Sequence, residues 1–414
     1  MRILWVLISF LLIQHALSAK RRKKLNEGKY FNHEKIETIC TLEGRGDEFL
    51  QCMCSDEFSP FQYGTAQCWI FAEIAPFEEI WNLFNEQTNL TKLTFLFRPE
   101  VLSFSIPIRI LKYLRKLEQF AIYFGHIHEL PSFAFPFQLE AIIISESRVA
   151  RIAKHCFYNL PNLKLIQLDK NAICELCQDM FVRLPSLKKL ILSKNNISSI
   201  QDGTFSHLSN LTELHLDSNS LVTLTNATFK ELGHLKALIL DYNKFESFGD
   251  YTFEHLWKLE VLNLDSNGLS CISNKTFAGL IRLEKLILSN NELRSVPAHF
   301  IDGLLAIRVL DLRNNLLKTL SQQTVAPILA NIEQPNAELF LSGKCYTHTH
   351  THTHTHTHTH THTHTHTHTH THTYSYVSLS RLRQIRIYRK NLNIQWLRTV
   401  ENRFIYHIFY IHKT

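Results

Sequence analysis

One motif, LxxLxLxxNxL, recurs seven times between Leu163 and Leu317 at a fixed spacing of 24 residues. The first copy reads Leu163, Ile166, Leu168, Asn171, Ile173, and the last Ile307, Leu310, Leu312, Asn315, Leu317. Its asparagines fall at Asn171, Asn195, Asn219, Asn243, Asn267, Asn291 and Asn315. A second column keeps the same period, at Phe157, Phe181, Phe205, Phe229, Phe253, Phe277 and Phe300, and slips by one residue at its last step. Repeats of this length cannot bury an apolar face alone, so the copies must stack into a solenoid with one continuous core.

Elementary chemistry assigns each column a place. The LxL core alternates with period two, so Leu190 and Leu192 point inward and Ile191 points out. One short strand per coil then pairs in parallel with the next, about 4.8 Å away. The sharp turn after the strand leaves backbone donors and acceptors facing inward. A buried carboxamide satisfies both kinds, which leucine cannot, and each group left unpaired would cost roughly 1–3 kcal/mol. The phenylalanines fill the wider outer side, where each ring contributes roughly 1.5–3 kcal/mol by burial. An array of amphipathic helices is the competing reading, and seven copies in register argue against it.

The 414-residue chain is 45% hydrophobic and begins Met1-Arg2, then an apolar run Ile3–Ile13 and Ala16-Leu17-Ser18-Ala19. Residues 1–19 therefore read as a secretory signal peptide, its apolar run shorter than the roughly 20 residues of a membrane span. No later stretch reaches spanning length. Residues 20–39 read as a polar lead-in that starts with the basic run Lys20–Lys24. The net charge of +7 is concentrated at the ends: Arg2 with Lys20–Lys24 carries six positive charges, and 374–414 carries eight Lys/Arg against Glu401, which leaves 25–373 at about −6. A mildly acidic solenoid gives no footprint for nucleic acid. The basic run reads as a solvated mature N-terminus, with sulfated polysaccharide or an acidic cell surface as its conceivable partner.

Cys40, Cys52, Cys54 and Cys68 form a C…CxC…C cluster ahead of the first coil. With a signal peptide present they read as a disulfide cap over 40–92, shielding apolar core and strand edge at the end of the stack. Zinc ligation is disfavoured because paired short spacings are missing. Repeats occupy 93–320; they are degenerate at first, with Ser147 and Gly125 in the Asn place, and nine or ten turns are expected. Residues 321–345, ending Leu339-Phe340-Leu341-Ser342-Gly343-Lys344-Cys345, read as the start of a truncated C-terminal cap. Residues 346–373 then form a low-complexity tract in which Thr and His alternate from Thr347 to Thr373, with thirteen histidines. Such a tract suits Zn, Ni or Cu in principle, yet an (AC)n dinucleotide read in frame also yields Thr-His without end. Residues 374–414 carry no repeat or cysteine and read as an unstructured tail outside the genuine coding sequence.

With the cap and repeats together, residues 40–345 resemble the extracellular leucine-rich-repeat proteins. That family includes matrix proteoglycan cores, cell-surface adhesion molecules and Slit- or Toll-type ectodomains, and the chain is loosely similar to the non-catalytic repeat subunit of a secreted luciferase. The resemblance implies an α/β solenoid: a curved horseshoe with a parallel inner sheet and a disulfide N-terminal cap. It also implies the pairings Cys40–Cys54 and Cys52–Cys68.

The outward strand positions supply the candidate binding residues of the concave face: Gln167, Asp169, Ile191, Glu213, His215, Asp217, Ile239, Asp241, Asn263, Asp265 and Ile287. Asp169, Asp217, Asp241 and Asp265 share one column, placed either to receive a basic partner or to cap backbone in the following turn. Ile191, Ile239 and Ile287 put an apolar residue on alternate coils, which suits a protein interface better than a sugar site. Five glycosylation sequons occur, at Asn89, Asn196, Asn210, Asn226 and Asn274, none at an outward strand position. Cys156, Cys174, Cys177, Cys271 and Cys345 lie outside the cap, and a Cys156–Cys177 bridge between adjacent coils is geometrically plausible. No GxSxG, HExxH, phosphate loop or supported Cys/His pair is present, so no catalytic, cofactor or metal residues are assigned. The expected function is a secreted glycoprotein, not an enzyme, that binds another extracellular or cell-surface protein. A non-catalytic subunit of a secreted enzyme and a receptor or adhesion ectodomain lacking its C-terminus are the alternatives.

Overall fold

A computed structural model describes residues 39, 49–55, 64–75, 79–85, 87–317 and 338–341. The chain divides into two compact units, Met1–Glu37 and Thr38–Thr414, and the described residues belong to the second. The expected signal peptide, the basic run, Cys40, Cys345, the Thr-His tract and the tail lie outside the described residues.

The solenoid is built on a 13-stranded sheet. Its first strand, Leu50–Ser55, pairs antiparallel with Thr65–Ile70, and Cys52 and Cys68 face each other in that register and form a disulfide. Cys54 is disulfide-bonded as well. From Thr65–Ile70 onward every step is parallel, through Lys92–Phe97, Gln119–Tyr123 and Ala141–Ser145 to the three-residue strands of the regular coils. Those run Leu165–Gln167, Lys189–Ile191, Glu213–His215, Ala237–Ile239, Val261–Asn263, Lys285–Ile287 and Val309–Asp311. Glu338–Phe340 adds a further parallel strand on Val309–Asp311, with Leu339 and Leu341 buried as in an ordinary coil. The cap strand and this last strand carry the stack past the copies that match the repeat in full.

The asparagine column lies inside the stack, with Asn195, Asn219, Asn243, Asn267, Asn291 and Asn315 buried. Asn195 shows the wiring. Its Nδ2 donates to Leu168 O in the preceding coil at 2.9 Å and to Leu192 O in its own at 3.0 Å, while its Oδ1 accepts from Ile173 N at 3.1 Å. The same three bonds recur at Asn219, Asn291 and Asn315. In the degenerate coils a shorter group does a smaller version: the Ser147 hydroxyl donates to Ser145 O and accepts from Gly125 N.

Behind the sheet the chain runs mostly as turns. Among the described residues helix is limited to Ile108–Tyr113, with a 3-10 segment at Glu79–Phe84. Two-residue parallel bridges join some coils, such as Phe157–Tyr158 with Phe181–Val182. The phenylalanines form a stack here: Phe157 lies 5.6 Å from Phe181 at 12°, and Phe253 lies 6.1 Å from Phe277 at 11°. At the one-residue slip the geometry breaks, and Phe277 meets Phe300 edge-on at 61°. Just before the Phe column sit buried Thr204, Thr228, Thr252 and Thr276, whose hydroxyls bond turn backbone; Thr204 Oγ1 donates to Gln201 O at 2.7 Å.

One outer turn tests this close packing. Gly279 has φ +90, and a Cβ there would lie 2.6 Å from the Glu254 carbonyl oxygen, whereas a Cβ on Gly303 would meet nothing within 4 Å. Gly279→Ala should destabilise the protein by about 1–3 kcal/mol and Gly303→Ala by less than about 0.5 kcal/mol. Equal thermal midpoints for the two variants would contradict the packing.

Candidate functional site

A surface built by regular side chains is the solvent-facing side of the parallel sheet. The three-residue strands bury their middle residue, so Leu190, Leu214 and Leu238 are fully buried while Ile191, His215 and Ile239 are half-buried on the face. Strand pairing sets Ile191, His215, Ile239, Asn263 and Ile287 side by side in one row across the coils.

The row two residues on holds the aspartates, and its hydrogen bonds run between coils. Ser145 Oγ donates to Asp169 Oδ1, Ser193 Oγ to Asp217 Oδ1 and Ser289 Oγ to Asp265 Oδ1, each at 2.5 Å. Asp169 also accepts from Gln167 Nε2 at 2.8 Å, and Asp265 from Asn290 Nδ2 at 2.7 Å. The carboxylates thus cross-link neighbouring coils through side chains, a role the sequence reading did not foresee when it weighed a basic partner against a backbone cap. Asp217, Asp241 and Asp265 are consecutive, and the middle one accepts from Asn263 Nδ2 at 2.9 Å. Burial, then the flanking carboxylates Asp217 and Asp265, push its pKa from 3.8 up to about 6.

That shift has a measurable consequence. An acid with a raised folded pKa weakens the fold as pH climbs from its unfolded value near 3.8 past about 6. Asp241→Asn should therefore raise the thermal midpoint at pH 7.5, and the gain should vanish below pH 4. Because the carboxyl is half exposed, the gain should stay under about 1 kcal/mol. A gain that is the same at both pH values would contradict the cause given.

Around the aspartates the face is mixed. Lys189 pairs with Glu213 at 2.5 Å and holds its carboxyl below the usual range, and His215 Nε2 lies 3.4 Å from the same carboxylate. Toward the C-terminal coils an open polar hollow of about 410 Å³ is lined by residues including Asn263, Asp265, Ser289 and Arg313. Arg313 pairs with Asp311 at 2.6 Å and lies 4.7 Å over the Phe340 ring. Among the described residues no three His, Cys, Asp or Glu side chains gather as a metal site, and no helix is long and apolar enough to cross a membrane.

The sequons lie elsewhere. Asn196, Asn226 and Asn274 are exposed, and Asn89 and Asn210 are half-buried. Asn226 and Asn274 precede the buried turn threonines Thr228 and Thr276, so the fold requires the Thr of each sequon and leaves the Asn free to vary. Cys156 is a buried free thiol whose pKa burial raises, and Cys177 is free, so the bridge between them is not formed; Cys156 faces the apolar core and Cys177 sits near the surface. Cys174 and Cys271 are free and exposed.

Sequence reasoning missed two surface features. Trp257, Ile281 and Leu305 are all exposed and spaced by the repeat, a column visible to anyone reading positions outside the motif. The indole of Trp257 lies where a Cβ on Gly233 would be 2.6 Å away, which explains glycine in that coil. The second is Tyr242, exposed beside Asp241 in the left-handed region at φ 53, where other coils place Lys170, Lys194, Ser218, Ser266 and Asn290.

Comparison with known proteins places the fold. The family model described as leucine rich repeat matches residues 137–197, 185–245, 233–293 and 281–328. Connectin of Drosophila melanogaster is 32% identical over 144 residues, which is 34% of this chain and 18% of Connectin, so the chain spans under a fifth of that relative's length. Among solved structures, the TLR13–ssRNA13 complex aligns with a TM-score of 0.56 at 23% identity over 66% of this chain and 40% of that one. The Leptospira interrogans LRR protein LIC12759 aligns at 0.53 and 24% over 66% and 65%, and the Drosophila Toll–Spatzle complex at 0.55 and 18% over 73% and 48%. At these identities the likeness to solved structures is one of fold.

Proposed function

We propose, from the premise that this chain is a leucine-rich-repeat protein, that it is a secreted glycoprotein whose concave sheet face takes up another extracellular or cell-surface protein. Repeat solenoids generally use such extended faces for binding. The observation that carries the reading is the division of the surface. The sheet face mixes half-buried isoleucines with carboxylates and holds none of the five sequons at an outward strand position, while Asn196, Asn226 and Asn274 stand exposed off that face. A glycan is a bulky, solvated group, so a face kept clear of acceptors stays open to a protein.

The face itself offers a test. Asn263 lies on it two residues before Asp265, and Asp265→Thr turns this stretch into Asn-Leu-Thr, a new acceptor. Expressed through the secretory route, this variant should gain one glycan by gel mobility. It should also lose its partner, identified by mass spectrometry after capture from conditioned medium or the cell surface. Asp265→Ala, which removes the same carboxylate without adding a glycan, should lose less binding than the glycosylated variant, so that the difference between the two reports the glycan. Undiminished capture by the glycosylated variant would reject the sheet face as the docking surface.

A further inference from the structure

The middle row of the face alternates with a period of two coils: Ile191, His215, Ile239, Asn263, Ile287. With strands about 4.8 Å apart, the isoleucines recur about every 10 Å along the stack. Seven residues of an α-helix rise about 10.5 Å. On the coils around Ile239 the two flanks of this row differ. One flank is Glu213, Ala237 and Val261, and the other is the run Asp217, Asp241, Asp265. The strand stretches 213–217, 237–241 and 261–265 contain no Lys or Arg; Lys189 and Lys285 stand one coil beyond them on the Glu213 flank, and Lys189 is engaged by Glu213. The centre of the face is thus an apolar ridge at helical spacing with a negative border on one side only.

We infer that the occupant of this face is an amphipathic α-helix of the partner protein, laid along the stack with an apolar residue every seventh position and basic residues on the flank facing Asp217, Asp241 and Asp265. The inference rests on the sheet-face reading above and deepens it. Width favours a helix over an extended segment. Five residues of strand present a strip roughly 13 Å across, which a helix of about 10–12 Å diameter fills. A polyproline segment repeats at about 9.3 Å and matches the spacing, but as a single narrow chain it would leave one border of the strip uncovered. Half-buried Ile239 and exposed Tyr242 at the centre supply the apolar and aromatic anchors that such interfaces use.

The test uses the full-length secreted protein and three labelled peptides, read by fluorescence anisotropy at low salt, where surface charge is least screened. The first is a helical peptide of about 21 residues with Leu at every seventh position and Arg along one flank. The second has the same composition with the leucines shifted out of that spacing, and the third is proline-rich with Leu at every third position. The first should bind saturably and at least about tenfold tighter than the other two, a difference of about 1.4 kcal/mol. Ile239→Glu should weaken it at least about tenfold and Asp241→Lys should weaken it too, while Tyr251→Ala, at an exposed position off the face, should change it by under about threefold. No saturable binding, equal binding of the shuffled peptide, preference for the proline-rich peptide, or indifference to Ile239→Glu would each overturn the helix. If the helix fails while the Asp265→Thr glycan still abolishes capture, the face stands and only its occupant is wrong.

Discussion

Asn195→Ala should cost the protein about 3–5 kcal/mol, while Asn196→Ala one position later should change stability by under about 0.5 kcal/mol. The two side chains are chemically identical and adjacent, so the contrast isolates position. Asn195 is buried and bonds Leu168 O, Leu192 O and Ile173 N; Asn196 is exposed. Removing the Asn195 carboxamide strands a donor and two acceptors from two coils in an apolar interior, where each unpaired group costs roughly 1–3 kcal/mol. Urea midpoints on enzymatically deglycosylated protein give the readout, since Asn196 also heads a sequon. Similar midpoints for both variants would mean that the amide column does not hold the turns.

Phe253→Ala should be comparably damaging, at about 3–5 kcal/mol. Its ring is fully buried, stacked on Phe229 at 6.2 Å and on Phe277 at 6.1 Å, with Phe248 edge-on at 5.2 Å. Loss of the ring leaves a cavity that neighbours fixed by their own coils cannot collapse into. Phe253→Leu should recover about half of the loss, and Tyr251→Ala, at an exposed position, should cost under about 1 kcal/mol. A Phe253→Ala midpoint within error of Tyr251→Ala would show that the outer stack contributes little.

Both predictions concern columns that the sequence displays, and the reason is physical. A position that must satisfy the same backbone geometry in every coil accepts one residue type, so the asparagines and phenylalanines stand out at the repeat period. Where several side chains satisfy the same geometry the signal fades. The left-handed position after the aspartate, serine or, in the last coil, Arg313 holds Lys170, Lys194, Ser218, Tyr242, Ser266, Asn290 and Asn314, a set with no common chemistry except a shared φ of 52–56°. The turn threonines Thr204, Thr228, Thr252 and Thr276 do recur at the repeat period, but in two coils they double as the third residue of a sequon, which hides their structural role. The Ser-to-Asp bonds were missed for a different reason. They join residues 24 apart, and knowing that Ser193 sits beside Asp217 requires the strand register as well as the motif. Cys156 and Cys177 fell to the same limit: closeness along the chain and between coils did not specify which side each thiol faces.

The face reading is tested most directly by hydroxyl-radical footprinting of the full-length protein with and without its captured partner. The account predicts protection of Ile191, His215, Ile239, Tyr242 and Ile287, all on the sheet face or its rim, with Tyr251 and Trp257 labelled equally in both states. Protection of Tyr251 or Trp257 with Ile239 and His215 unchanged would contradict it and move the binding surface to the outer turns.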